Sequence, residues 1–180
     1  LARAQLKPRV SGTRELSRLL ELPVLAEVPH VRRPMGHRPQ ALSAVEYEAY
    51  QTLAASLRRR LPATSQRTIL VTSALRGEGK TEVTAALGLV LSQAMHRTWL
   101  VSADMRRPKL HELFDVEQTP GLSEVLVGAR NGGSRGIFQL SAARTGTGAL
   151  HVLASGQTPP DPAQLLASDA LDDFFEEIKE

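Results

Sequence analysis

The chain has 180 residues, 42% of them hydrophobic, and a formal net charge of +3 at pH 7; this fits one α/β domain with a smaller appendage and is enough to bury a core. It contains no cysteine, which excludes disulfides and cysteine-ligated zinc and suits a reducing compartment, and no apolar run approaches the ~18–20 residues that cross a bilayer. Charge is uneven: residues 1–67 hold twelve Lys and Arg against five Asp and Glu, a balance of +7, while residues 68–180 hold ten against fourteen, a balance of −4. The basic part could lie near anionic lipid or nucleic acid. Its arginines are spread out without aromatic partners for base stacking, so solvated faces account for them and no nucleic-acid partner is expected.

Leu1 is not an initiator and no signal-peptide pattern follows it, so the chain reads as an excerpt of a longer protein. Residues 1–21 begin polar and then place Leu16, Leu19 and Leu20 at helical spacing, with Ser11 or Thr13 as N-caps. Leu22 to Pro29 reads as a short strand ended by proline, and residues 30–40 read as a linker. A helix follows from Leu42 to Arg60, with Val45, Leu53 and Leu57 among its apolar positions, closed by Pro62. A β-branched strand over 68–73 leads through a glycine-containing loop into a helix from about Gly79 to Met95, and a second strand occupies 98–103. That order implies a βαβ unit with parallel strands and a right-handed crossover. Beyond it come a turn and short helix over 120–128, a Gly, Ser and Thr-rich mobile loop over 131–148 and a third strand over 150–154. A proline-rich turn spans 155–162, and one or two helices with an acidic end span 162–180.

The loop Ala74-Leu75-Arg76-Gly77-Glu78-Gly79-Lys80-Thr81 has the order a phosphate cradle requires: strand, loop, helix N-terminus. Gly77 and Gly79 open backbone conformations that let successive N–H groups turn onto phosphate oxygens. Lys80 can reach the β- and γ-phosphates, and the Thr81 hydroxyl can ligate Mg²⁺. Ala74 stands where the strict pattern has its first glycine. Phosphate loops also need a nearby carboxylate for the metal. Asp104, at the C-terminal end of the second strand, is the first candidate; Asp115, Asp161 and Asp169 are weaker ones, the last two reading as turn and cap residues. The five histidines show no ligand spacing, and Tyr47 and Tyr50 read as packing residues of a helix face.

Trp99-Leu100-Val101-Ser102-Ala103-Asp104-Met105-Arg106-Arg107-Pro108 resembles the second Walker-type motif of bacterial tyrosine kinases, three apolar residues before Asp-x-Asp-x-Arg. Gly121-Leu122-Ser123-Glu124-Val125-Leu126-Val127-Gly128 is similar to that family's Gly-Leu-Ser-x-x-Leu-x-Gly. His151 to Gly156, then Pro159-Pro160-Asp161-Pro162 and Leu165-Leu166-x-Ser168, are similar to a further segment, with Asp161 in place of Asn. Leu16 to Pro29 resembles the cytosolic stretch that follows the last transmembrane helix of a Wzz-type chain-length adaptor.

The resemblance implies an α/β, P-loop NTPase-like parallel sheet flanked by helices in three layers, incomplete at the C-terminus because the Walker B strand would begin just after Glu180. It implies residues 1–40 as an adaptor-derived juxtamembrane segment and linker, and residues 41–180 as the N-terminal part of the nucleotide-binding domain. The function implied is an ATP- and Mg²⁺-dependent tyrosine autokinase that controls polymerisation and export of capsular or extracellular polysaccharide. It would act at the cytoplasmic face of the inner membrane, anchored by segments outside this chain, with the polysaccharide machinery as partner. By the same resemblance residues 74–81 hold the nucleotide, Lys80, Asp104 and Arg106 carry the chemistry, and Thr81 and Asp104 hold the metal. Two departures stand out. Ser102 replaces the first aspartate of Asp-x-Asp and cannot serve as a carboxylate base. The Glu-x-x-Arg-x-x-Arg oligomerisation motif is reduced to Glu48, Gln51 and Ala54, which weakens the expectation of a homo-oligomer. A MinD/ParA-type ATPase switch is the alternative, but those loops carry an early lysine and Ala74-Leu75-Arg76 has none. A catalytically weak nucleotide-binding scaffold is the other, with Ser102 in its favour.

Overall fold

The computed structural model describes residues 10, 12–30, 42–61, 66–94, 97–130, 142–145 and 150–178. In chain order its elements are α1 (Thr13–Leu20), α2 (Ala44–Arg60), α3 (Lys80–Gln93), β1 (Thr98–Val101), α4 (Leu110–Phe114), α5 (Leu122–Arg130), β2 (Ala142–Thr145), β3 (Leu150–Leu153), α6 (Pro162–Leu166) and α7 (Asp169–Glu177).

Local side-chain chemistry sets two of the helix starts. α2 begins in a capping box: the Ser43 hydroxyl accepts from the Glu46 N–H, and the Glu46 carboxylate accepts from the Ser43 N–H at 2.9 Å. Asp161 caps α6, accepting from the Gln164 N–H at 2.9 Å, with Pro162 at the first helical position. The N-cap of α1 is Gly12, without a side-chain bond, rather than Thr13; Ser11 lies outside the described residues.

β1 pairs in parallel with β3, and β2 pairs antiparallel on the other side of β3, so the strand order is β1-β3-β2. Alternation along the strands sends side chains to two faces. Leu100, Leu150 and Val152 pack with Ala85 of α3 and with Leu110 and Phe114 of α4. On the opposite face Leu153, with Trp99 and Val101 at its side, packs against Leu122, Val125 and Leu126 of α5 and Phe174 of α7. The result is the three-layer α/β/α arrangement expected. A third cluster joins Tyr50 of α2 to Ala86, Leu87 and Val90 of α3, with Tyr47 partly buried beside it. Both tyrosines therefore pack, as their spacing predicts.

Four expectations are corrected. Residues 68–73 form no strand, with Ile69 38% and Leu70 83% exposed. Their β-branched side chains supply propensity, but a strand needs a partner for its backbone, and none of the described strands pairs with this segment. The expected parallel unit between 68–73 and β1 is absent from the described sheet. Leu22 to Pro29 likewise forms no strand; Pro23 and Pro29 each lack a donor for a ladder. Part of the expected loop over 131–148 is β2, which makes the sheet mixed rather than wholly parallel; its signal is backbone pairing, which an Ala-Ala-Arg-Thr sequence does not advertise. Val45 is 65% exposed rather than part of the core, because α2 turns its neighbouring face to α3. The helix α4 escaped the sequence reading, being only five residues long. The expected linker over 31–40, Pro62 and residues 131–141 lie outside the described residues, as does Glu180.

Candidate functional site

The site is built where loop 74–79 enters α3. Gly77 and Gly79 hold φ at 81° and 89°, the left-handed region that glycine reaches without strain. A Cβ at either position would meet nothing within 4 Å, so backbone conformation and not crowding sets the requirement. Gly79 is the N-cap of α3, and its carbonyl accepts from the Val83 N–H at 2.9 Å. The Thr84 hydroxyl donates to the Lys80 carbonyl at 2.7 Å. Ala74 to Glu78 are exposed, while Gly79, Lys80 and Thr81 are half-buried. Within the loop the Glu78 carboxylate accepts from the Leu75 N–H at 3.0 Å, and the Ser73 hydroxyl donates to the Leu75 carbonyl at 2.9 Å.

Asp104 reaches this loop from the far end of β1. Its Oδ2 lies 2.9 Å from Lys80 Nζ, in an ion pair whose side chains are 30% and 36% exposed respectively. Its Oδ1 accepts from the Arg107 N–H at 3.1 Å, which turns the chain tightly after the strand. Met105, 1% exposed, anchors that turn in the core. Ser102 is buried at 8%, and its N–H continues the β1–β3 ladder to the Leu153 carbonyl at 2.9 Å. Arg106 is exposed and lies outside the Lys80–Asp104 pair. Among the described residues no three His, Asp or Glu side chains converge as a metal cage. The Thr81 hydroxyl and the Asp104 carboxylate have oxygen-donor chemistry of the kind Mg²⁺ takes, with phosphate oxygens and water filling the rest of its shell. Of the weaker carboxylates, Asp161 caps α6 and Asp169 opens α7.

One residue that shapes this end of the sheet was not singled out from the sequence. Glu124 Oε2 accepts from the Gly121 N–H at 2.8 Å and from the Ser123 hydroxyl at 3.1 Å, while Oε1 accepts from the Gln157 N–H at 2.9 Å. Burial pushes its pKa up, but the N–H groups of Gln157, Gly121 and Glu124 itself and the Ser123 hydroxyl outweigh that and leave it below its ordinary value. The available signal was a glutamate three residues after the glycine that opens a helix, half of a capping box. The docking continues through Leu122 N–H to Ala154 carbonyl at 2.8 Å and Ser123 N–H to Ser155 carbonyl at 2.9 Å. A separate cleft of about 400 Å³, lined by Glu27, Val28, Val45 and Glu48 among others, lies against α2 and includes no residue of the loop.

No family model matches the chain. In sequence it is 33% identical over 132 residues to the tyrosine-protein kinase YwqD of Bacillus subtilis (strain 168), a match covering 72% of this chain and 51% of that protein. In structure it matches the chimerical protein CapA2B2 with a TM-score of 0.78 and 26% identity, over 93% of this chain and 70% of the other. The kinase domain of the Escherichia coli tyrosine kinase ETK matches at the same TM-score and identity, over 92% and 67%. The chain spans about half the length of YwqD.

Proposed function

This chain belongs with the bacterial tyrosine-protein kinases, its homologues in sequence and its neighbours in fold, and on that premise we propose that it is the ATP-binding part of a tyrosine autokinase that regulates polymerisation and export of capsular or extracellular polysaccharide. The observation that carries the proposal is the meeting of Lys80 and Asp104 at 2.9 Å, at the mouth of a loop with two left-handed glycines. A cation that can reach phosphate and a carboxylate that can hold a metal occur together where phosphoryl transfer needs both.

In this reading the N–H groups of residues 74–81 and the Lys80 ammonium hold the nucleotide phosphates, and Thr81 and Asp104 hold Mg²⁺. The metal, when bound, neutralises charge on the transferring phosphoryl group. Arg106 lies two residues beyond Asp104 and supplies a second cation from the exposed turn. Lys80 and Arg106 stabilise the charge that moves to the β-phosphate as the β–γ bridge breaks and the tyrosyl oxygen bonds to phosphorus. The proton leaving the tyrosyl hydroxyl needs an acceptor, and Ser102 cannot be a carboxylate one. Activity is therefore proposed to be lower than in a protein with both aspartates.

Residues 1–40 serve, in the same proposal, as an adaptor-derived juxtamembrane segment, and residues 41–180 as the nucleotide-binding unit. Among the described residues no helix is long and apolar enough to cross a membrane; attachment to the cytoplasmic face of the inner membrane would come from segments outside this chain. The polysaccharide export machinery is the proposed partner. Glu48 and Gln51 are exposed on α2 and Ala54 is half-buried, so self-association through that helix would lack both arginines of the motif.

Incubation of the full-length protein with γ-labelled ATP and Mg²⁺ tests the reading. Label on protein tyrosine that disappears in Lys80→Ala supports it. Release of inorganic phosphate alone points to an ATPase switch, and nucleotide binding without turnover points to a scaffold.

A further inference from the structure

The helix α1 (Thr13–Leu20) buries none of its residues. Leu19 and Leu20 are 66% and 57% exposed, and Leu22, just past the helix end, is 62% exposed. At about 100° per residue, Leu16, Leu19 and Leu20 share one side of the helix, while Arg14 and Arg18, both exposed, share the opposite one. The end of the helix is well defined: Glu21 turns left-handed at φ 54°, and the Ser17 hydroxyl donates to the Leu22 carbonyl at 2.7 Å. An apolar stripe of this kind ordinarily faces a core, yet among the described residues none of the three core clusters includes a residue of α1. The surrounding sequence is basic, residues 1–40 holding eight Lys and Arg against three Glu, a balance of +5.

From these features we propose that α1 lies flat on an anionic lipid surface, with its leucines at the boundary of headgroups and acyl chains and Arg14 and Arg18 among the lipid phosphates. The inference rests on the reading of residues 1–40 as a juxtamembrane segment. Solvated faces account for the arginines but not for the adjacent exposed leucines across the helix from them. Charge separates lipid from a second copy of this chain as the occupant. A second copy brings the same positive balance to the contact, whereas anionic lipid brings the opposite one. Two or three leucines give only marginal membrane affinity, so α1 orients a protein that is anchored elsewhere. Val28 packs against the cluster that joins Tyr50 of α2 to Ala86, Leu87 and Val90 of α3. It follows Leu20 by eight residues, at most about 29 Å of chain. Lipid contact at α1 therefore keeps the α2–α3 side of the nucleotide-binding unit within that reach of the bilayer.

Hydrogen–deuterium exchange on the full-length protein reads the contact, in vesicles of phosphatidylcholine alone and in vesicles of equal parts phosphatidylcholine and phosphatidylglycerol. The amides of residues 13–20 are expected to exchange at least about tenfold more slowly in the anionic vesicles than in the neutral ones. Leu19→Gln with Leu20→Gln removes the apolar side, and Arg14→Gln with Arg18→Gln removes the charge; each pair is expected to abolish the difference. The amides of α2 should exchange alike in every variant, because α1 buries no residue, and they report that the fold is kept. Equal exchange in the two lipids overturns the inference, as does a difference that survives either pair of substitutions. Protection that follows protein density and ignores lipid charge marks a second copy as the occupant and also overturns it. A full-length protein that associates with neither kind of vesicle overturns the juxtamembrane reading and the inference together.

Discussion

Glu124 Oε1 accepts from the Gln157 N–H at 2.9 Å, so one side chain in the first turn of α5 holds the chain that leaves β3. Through Oε2 the same carboxylate holds the Gly121 N–H at 2.8 Å. Parallel strands present their C-terminal ends to one edge of a sheet, and this clasp fixes the backbone at the end of β3 beside the strand that delivers Asp104. Ser102 N–H and Leu153 carbonyl, 2.9 Å apart, close the remaining gap between the two strand ends.

Stability should respond to acid through this clasp. The folded-state pKa of Glu124 is lowered, so its contribution is present above the unfolded-state value and is lost as pH falls through the folded one. Urea denaturation should find Glu124→Gln less stable than the wild type at pH 7. The difference should narrow as pH drops below about 4, where the unfolded carboxyl begins to bind protons. A gap that stays constant between pH 7 and pH 3 would remove the carboxylate charge from the account.

Gly156 sits at φ 79°, and an added Cβ would run into the Glu124 carboxylate and the Ser123 hydroxyl. Gly156→Ala should therefore lose about 1–3 kcal/mol from backbone strain, with the broken clasp in addition. Denaturant midpoints measure it. The contrast is Gly77→Ala: its φ is 81° and no atom lies near, so only the backbone penalty applies.

If Lys80 meets phosphate as proposed, Lys80→Ala removes a charge-assisted contact, a type of interaction worth about 1.5–3 kcal/mol, or roughly tenfold to 150-fold in affinity. Equilibrium binding of Mg·ATP should weaken by that factor while the folded fraction at 25 °C is unchanged, because the Asp104 partner left behind is partly solvated. Unaltered affinity would deny Lys80 its phosphate role.

Ser102→Asp should raise tyrosine phosphorylation in the presence of Mg²⁺ if the missing carboxylate is what limits transfer. The position is 8% exposed at the end of β1, so a new carboxylate there carries a desolvation cost. The variant should be less stable without metal and recover stability when Mg·ATP is added. Thermal melts with and without ligand separate that outcome from simple misfolding, in which no recovery occurs.

The pieces whose signals are local are legible in the residues alone. The loop glycines before Lys80, the helix from Lys80 and the short strand ending near Asp104 are all written in runs of a few residues. Three-residue and four-residue spacing, left-handed backbone and β-branched runs depend only on near neighbours, so they can be read without a fold. Family-specific order in Gly121 to Gly128 and Gly156 to Ser168 added what no single run carries. Which backbone finds a partner depends instead on long-range packing. Residues 68–73 have strand composition yet remain outside the described sheet, whereas Ala142–Thr145, with no such composition, pairs with β3. Tertiary structure also decided that Lys80 meets Asp104 and that Glu124 holds Gln157. Those contacts join elements distant in sequence, and their energies depend on distances of a few ångströms that spacing along the chain does not encode.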